Sequence, residues 1–106
     1  MTGPLEGLRV VEVGQALAGP LAGAILADMG AEVVKVEKPD GGDDARGWGP
    51  PWGPPLGGDT SLYFHGQNRN KLGVTLDLKA AGDVEALHRL CETADILIQN
   101  LRPGVV

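Results

Sequence analysis

Cysteine and positive charge are both scarce in this chain of 106 residues. Cys91 is its single cysteine, so no disulfide forms within the chain, and we expect a reducing, cytoplasmic environment. Nine lysine and arginine residues stand against 14 aspartate and glutamate residues, which gives a formal net charge of −5. Because nucleic acids bind basic surfaces, this balance predicts no nucleic-acid partner, and any anionic ligand would need local positive groups.

Long apolar runs are also missing. The longest ones fall well short of the ~18 residues that a membrane span needs, and no basic-then-apolar leader opens the chain. We therefore expect a soluble protein with no membrane partner. Glycine, in contrast, is abundant at 17 residues, well above the average of about 7%, which predicts several tight turns. The length allows one domain.

Hydrophobic patterning predicts alternating strands and helices. Short runs rich in β-branched residues predict strands at residues 8–13, 32–37, 73–77 and 95–99. A short amphipathic helix, with Pro20 at its first position and Gly30 as its stop, is predicted from the apolar stripe Leu21, Ala22, Ile25, Leu26 and Met29. A second helix is predicted, with an apolar inner face formed by Val84, Leu87, Leu90 and Cys91. This order predicts an α/β fold, namely a Rossmann-like, mainly parallel sheet with flanking helices.

The stretch from Lys38 to Lys71 is far longer than an ordinary connection and is rich in proline and glycine. We expect it either to be functional or to pack against structure outside this sequence. Its tail, Ser61 to His65, is compatible with a helical turn, which the pattern alone leaves open. Trp48 and Trp52 are expected to pin this loop rather than to stack on a nucleobase.

Candidate metal ligands do not show the grouping or spacing of a metal site. Asp43 and Asp44 lie together in a glycine-rich loop, and we interpret them as loop or helix-cap residues. His65 and His88 have no ligand-like spacing to Cys91. We therefore expect no metal site.

Polar and small residues follow the ends of the predicted strands, where ligands of parallel sheets bind. Small residues at 14–20 follow the first strand, Lys38 the second, Lys79 the third, and Asn100 and Arg102 the fourth. Basic groups at successive strand ends of an acidic chain are what a phosphorylated nucleotide would need. From these residues alone, the chain is a nucleotide-type binding module.

Six passages in order extend this interpretation, because they resemble those of family III CoA-transferases. They are Gly19-Pro20, LADMGAEVVKVE (26–37), GDDARGWGP (42–50), NRNK (68–71), LDLK (76–79) and NLRPG (100–104). The family includes formyl-CoA, carnitine and related CoA-transferases and the racemases of 2-methylacyl-CoA thioesters. The resemblance runs almost from end to end.

The resemblance implies that residues 1–106 are the N-terminal part of a Rossmann-like CoA domain within a larger fold. It implies acyl-CoA and carboxylic acid substrates, no tightly bound cofactor, and an interlocked homodimer of the full-length protein. In such transferases an aspartate attacks the thioester, and that aspartate would lie beyond Val106. We therefore expect no catalytic residue within this chain, and no activity from the chain alone.

Site residues are implied position by position. Lys38 matches a basic residue that contacts the CoA nucleotide, and Leu17 and Ala18 match a loop beside the thioester. The remaining matches are with the adenine and phosphate neighbourhood, at Leu76 and Lys79, and with the next CoA-binding loop, at Asn100, Leu101 and Arg102.

Differences within the family bear on the reaction. Formyl-CoA enzymes carry a glutamine where this chain has Leu17, which disfavours oxalate as the acceptor and favours a bulkier or more apolar acid. The racemases run almost directly from the second strand to the pair that matches Asn68 and Arg69. This chain inserts residues 42–62 there, which favours a transferase over the alternative, an acyl-CoA racemase.

Two other classes of function stay open. Gly14, Ala16 and Gly19 form a degenerate dinucleotide fingerprint, and Glu37 has the spacing of a ribose-binding acid, so a nicotinamide dinucleotide-binding module is the runner-up. Against it, Ala16 replaces a glycine and Lys38 adds a cation that NAD does not need. A free-standing binding protein would follow if the chain were a complete product.

Overall fold

Parallel strands form one sheet in the computed structural model, which describes residues 3–49 and 60–101. The strands in these ranges are β1 (Arg9–Val13), β2 (Glu32–Glu37), β3 (Leu72–Thr75) and β4 (Ile96–Gln99). Their spatial order is β3-β2-β1-β4, and every neighbouring pair is parallel. The chain thus starts in the middle of the sheet, moves to one edge and crosses to the other. The predicted α/β class and parallel sheet are confirmed, with strand bounds within two residues of those expected.

Two helices, α1 (Ala18–Asp28) and α3 (Ala81–Glu92), join strands of the sheet. The long connection contains a 3₁₀ helix at Asp44–Gly47 and the helix α2 (Leu62–Gln67). The segment left open by the pattern is helical, because Ser61 caps α2 by accepting a hydrogen bond from the Phe64 N–H at 3.1 Å. Among the described residues, no helix combines the length and apolar character of a membrane span.

Helix α1 differs from its prediction in which face it buries. It begins at Ala18, so Pro20 is its third residue and not its first. Its buried residues are the small ones, Gly19, Pro20, Gly23, Ala24 and Ala27. The expected apolar stripe instead lies largely at the surface, with Leu21 37%, Ile25 43% and Met29 40% exposed.

The physical reason is the close approach of α1 to β1. A Cβ atom on Gly23 would collide with Oε1 of Glu12, a β1 residue that is fully buried. Only small side chains fit between the helix backbone and such a strand. Leu21 and Ile25 of α1 are therefore largely exposed, whereas Leu26 packs against the edge of the core.

Strand alternation divides the core between the two faces of the sheet. On one face, here called the α3 face, Leu87 of α3 packs with the buried Val11, Val13, Val36 and Leu76. Leu90 and Cys91 pack against this cluster, as the helical spacing predicted. On the opposite α1 face, a second cluster consists of Val10, Ala27, Ala31 and Val33.

Candidate functional site

A cavity of about 480 Å³ opens at the carboxyl edge of the sheet. Its walls come from the ends of all the strands described above, at residues 13–15, 36–38, 76–79 and 101, and from Gly42 and Asp43 of the long connection. This volume lies in the range of small-molecule sites, roughly 300–1,000 Å³. The cavity also lies where ligands bind to open parallel sheets.

Half of the predicted site residues meet at this cavity. Lys38, Leu76, Lys79 and Leu101 all line it, although they come from three separate segments of the chain. Leu76 belongs to the hydrophobic cluster on the α3 face, so the cavity floor is continuous with the core. The cavity therefore combines an apolar floor with two lysines.

The two lysines differ in their surroundings. Nζ of Lys38 donates to Oδ1 of Asp44 at 2.9 Å, and both side chains are exposed. The hydrogen bond from Lys38 to Asp44 raises the pKa of Lys38 above its ordinary value. Lys79 is exposed at the turn after β3, where its backbone N–H donates to Oδ1 of Asp77 at 2.9 Å. Both ammonium groups are accessible to an anion.

Three of the other predicted site residues, Leu17, Ala18 and Asn100, are not among the residues that line the cavity. Leu17 and Ala18 are exposed at the start of α1. Asn100 instead clamps the backbone of Gln15, because its Oδ1 accepts from the Gln15 N–H at 2.9 Å and its Nδ2 donates to the Gln15 carbonyl at 3.0 Å. Arg102 lies outside the described residues, as does Trp52. The binding roles of Leu17, Ala18, Asn100 and Arg102 stay predictions, as does the role of Trp52 in pinning the loop.

Glu37 lies at the cavity wall but is engaged by the long connection. Its carboxylate accepts from Nε and Nη2 of Arg46, each at 2.8 Å, and from the Asp43 N–H at 2.8 Å. Burial tends to raise the pKa of Glu37, but these hydrogen bonds outweigh it and the pKa is lowered. The guanidinium of Arg46 also lies 3.9 Å from the ring centroid of Phe64. The acid that a ribose would need thus anchors the 3₁₀ helix.

A buried ion network lies beneath the loop that joins β1 to α1. It is defined by Glu12, Lys35, Asp43 and Lys71 and was missed in the sequence. Lys35 Nζ lies 2.9 Å from Oε2 of Glu12 and 3.0 Å from Oδ2 of Asp43. Lys71 Nζ lies 2.5 Å from Oε1 of Glu12. Two cations thus alternate with two anions.

The available signal for this network was a charged residue in the middle of each of two β-branched runs. Glu12 and Lys35 are opposite each other in the register of β1 and β2, on the α1 face. A charged pair at such positions is compatible with burial only if each charge is compensated. Sequence spacing did not reveal Asp43 and Lys71 as the further partners.

The ammonium groups of the network use their donors fully. Lys35 donates to Glu12, to Asp43 and to the Gly14 carbonyl at 3.2 Å. Lys71 donates to Glu12, and to the Pro20 carbonyl and Asn68 Oδ1 at 2.8 Å each. Burial lowers the pKa of Lys71 below that of an ordinary lysine, against the opposing effect of Glu12.

Asp43 and Trp48 both make contacts within the long connection. Oδ1 of Asp43 accepts from the Ala45 N–H at 2.9 Å and caps the 3₁₀ helix, as expected of a cap residue. Trp48 packs on Tyr63 with ring centroids 5.2 Å apart, which ties the two described parts of the long connection together. Residues 3–49 and 60–101 hold no cluster of three or more histidine, cysteine or acidic side chains suited to a metal ion.

Comparison with known proteins identifies the family. The sequence model of CoA-transferase family III matches residues 5–106. The chain belongs to CoA-transferase family III. The succinate–glutarate CoA-transferase of Agrobacterium fabrum is a similar member. It is 48% identical over an alignment of 101 positions, and the alignment covers 93% of this chain and 25% of that protein.

Two further proteins show the same relationship. The acetyl-CoA:oxalate CoA-transferase of Acetobacter aceti is 42% identical over 104 residues, which are 98% of this chain and 25% of that protein. A crystal structure of a CAIB/BAIF family protein from Brucella suis matches with a TM-score of 0.90 and 44% identity, over 98% of this chain and 27% of that one. The chain thus spans about a quarter of the length of these proteins.

Proposed function

We propose that residues 1–106 are the CoA-binding N-terminal part of a longer enzyme that moves CoA from an acyl-CoA thioester to a carboxylic acid. The observation that carries the proposal is the cavity at the carboxyl edge, where Lys38 and Lys79 flank an apolar floor. In this assignment the ammonium groups bind phosphates, and Leu76 and Leu101 contact the flat adenine base.

The chemistry is assigned to residues outside this chain. An aspartate beyond Val106 attacks the thioester carbonyl, which releases the CoA thiolate and leaves a mixed anhydride. The thiolate then attacks the aspartyl carbonyl, releasing the donor acid and leaving an aspartyl-CoA thioester. The acceptor carboxylate then attacks the aspartyl-CoA thioester, which releases the thiolate and leaves a second mixed anhydride. The thiolate attacks the acceptor carbonyl of this anhydride, which gives the new acyl-CoA and frees the aspartate. The enzyme would be a cytoplasmic, interlocked homodimer without a tightly bound cofactor.

A dicarboxylic acid of four or five carbons is the proposed acceptor. One relative is named for succinate and glutarate and another for oxalate. Leu17 replaces a glutamine of the formyl-CoA enzymes, and its apolar side chain suits the methylene groups of the longer acids better than oxalate. Residues 42–62, which the racemases of this family shorten, support transfer rather than racemisation.

The contacts of Glu37 do not favour the nicotinamide alternative. Both of its carboxylate oxygens already accept hydrogen bonds from Arg46, and Oε1 accepts a further one from Asp43. A ribose diol would have to compete with a bidentate, charge-assisted pair. Binding of CoA, and not of NAD, is therefore expected from the full-length protein in calorimetric titration.

Lys79→Ala in the full-length protein tests the assignment. We expect CoA binding to weaken by about 1–3 kcal/mol, because a charge-assisted hydrogen bond to a phosphate is lost. Titration with dephospho-CoA, which lacks the 3′-phosphate, locates the contact: a loss for CoA alone assigns Lys79 to that phosphate, and equal losses assign it to the pyrophosphate. Arg89→Ala, at an exposed position on α3, is the control. Unchanged binding of both ligands by Lys79→Ala would contradict the assignment.

A further inference from the structure

The loop that joins β1 to α1 and the first turn of α1, together residues 14–20, are held by side chains from several distant segments. Lys35 of β2 donates to the Gly14 carbonyl at 3.2 Å, and Lys71 donates to the Pro20 carbonyl at 2.8 Å. Asn100, after β4, pairs with both backbone groups of Gln15. Asp43 of the long connection accepts from the Ala16 N–H at 3.1 Å. Backbone groups along the loop are thus bound by side chains, which is unusual for a connection at the surface.

Ala16 shows that this loop is constrained and not merely supported. Its φ is 67°, in the left-handed region that residues other than glycine rarely adopt. Such a conformation persists only where the surroundings impose it. The hydrogen bond from the Ala16 N–H to Asp43 is a contact that does so.

Asp43 connects the loop, the buried ion network and the 3₁₀ helix. It is 2% exposed, its Oδ2 pairs with Lys35, and its Oδ1 accepts from the N–H groups of Ala16 and Ala45. A buried ion pair is a weak source of stability, since apolar residues often replace it without loss. Its directional contacts are therefore better explained by the backbone geometry that they impose.

We propose that Asp43 and Lys35 are positioning residues that hold the loop so that Leu17 and Ala18 face the acyl end of a bound CoA thioester. The proposal rests on the proposed function. Asp43 lies in the segment that distinguishes this chain from the racemases, so that segment would set the shape of the acyl site through its hydrogen bond with the Ala16 N–H. Neither residue touches the reacting atoms in this role.

The test uses Asp43→Asn in the full-length enzyme. The amide preserves an oxygen for the Ala16 and Ala45 N–H groups but removes the charge that pairs with Lys35. We expect kcat to fall by roughly tenfold to 100-fold, because a small displacement of a loop at the reacting centre has effects of this size. The KM for the acyl-CoA donor should stay within about threefold of the wild-type value, since Lys38 and Lys79 bind the nucleotide independently.

A double variant protects the test against misfolding. Lys35→Met combined with Asp43→Asn removes both charges and leaves Glu12 and Lys71 as a balanced pair. It should also lower kcat more than it changes KM. Hydrogen exchange of the Ala16 amide should be faster than in the wild type for both variants, which reports the loop directly.

Val10→Ala is the matched control for lost stability alone. Val10 is buried on the same face of the sheet, at the end away from the cavity. Its substitution should lower stability but leave kcat unchanged. If folded Asp43→Asn and double variants keep a wild-type kcat, or if KM and kcat change in parallel, the inference is overturned and the proposed function stands. If the wild-type enzyme binds no CoA, the proposed function fails and this inference fails with it.

Discussion

The two faces of the sheet solve the same packing problem with different chemistry. On the α3 face, aliphatic side chains of β1 and β2 bury a leucine of α3, and the free energy comes from removing apolar area from water. On the α1 face, β1 and β2 are apolar near their amino ends only. Toward their carboxyl ends, Glu12 and Lys35 are as deeply buried as the valines beside them.

The buried charges of the α1 face lie at the same end of the sheet as the cavity. The buried ion network lies directly under the loop that borders it, and it supplies fixed hydrogen bonds in place of adaptable apolar contacts. An aliphatic cluster tolerates side chains of similar volume, whereas a network of charges demands its partners in place. The α3 face thus supplies the apolar floor of the cavity, and the α1 face supplies the polar contacts that hold the loop beside it.

The largest effect is expected from removing a charge inside the α1 face. Glu12→Ala would deprive Lys35 and Lys71 of their shared carboxylate, so the free energy of unfolding should fall by about 3–5 kcal/mol. Urea unfolding of the chain measures this loss. Glu32→Ala is the matched control, because its exposed bridge to Arg9 is worth at most about 1 kcal/mol. Equal losses for the two variants would contradict the contrast between the buried network and the exposed ion pair.

A smaller effect separates the two helices. Leu87→Ala should cost about 2–4 kcal/mol, because it opens a cavity in the α3-face cluster. Ile25→Ala removes a side chain of similar size from α1, but that side chain is 43% exposed, so the loss should stay below about 0.5 kcal/mol. The same unfolding experiment compares them. A larger loss for Ile25 would mean that α1 buries its apolar stripe after all.

Glycine substitutions in the two helices should have opposite signs. Gly23→Ala should destabilise the chain by about 1–3 kcal/mol, because the new methyl group overpacks against Glu12. Gly82→Ala in α3 meets nothing within 4 Å and should be neutral or stabilising by up to about 1 kcal/mol. Thermal unfolding detects both. Stabilisation by Gly23→Ala would refute the close approach of α1 to β1.

The smallest effect is expected in the pH dependence of stability. The folded-state pKa of Glu37 is lowered. The contribution of this carboxylate to the free energy of unfolding is therefore present above its unfolded pKa of about 4.3. That contribution disappears as the pH falls from there through the folded-state pKa. Glu37→Gln should therefore make the acid-side decline in unfolding free energy shallower. An identical decline in both proteins, measured by urea unfolding between about pH 5 and pH 3, would refute this assignment.

The success of prediction also divides between the faces. Helix α3 was oriented correctly, because its large apolar residues have one consistent spacing and the sheet beneath them is aliphatic. Helix α1 carries two periodic sets, one large and apolar and one small. Periodicity cannot choose between them without knowing that a charged strand lies underneath. Proximity to Glu12 made the choice.

The candidate site was predictable to a similar degree. Lys38, Leu76, Lys79 and Leu101 meet because the carboxyl ends of parallel strands share one edge, which is a consequence of topology alone. The direction in which an individual side chain points does not follow from topology. Asn100 was assigned to ligand binding at the correct strand end, but its amide is engaged by the backbone of Gln15.

The sequence by itself determined the order of strands and helices, their parallel arrangement and the edge at which a ligand would bind, because these follow from local periodicity and the handedness of crossovers. Tertiary structure alone decided the buried ion network and the face that α1 buries. Lys71 meets Glu12 across 59 positions of the chain, and Lys35 meets it across 23. Such meetings depend on strand register and helix distance, and these are set only when the elements pack together.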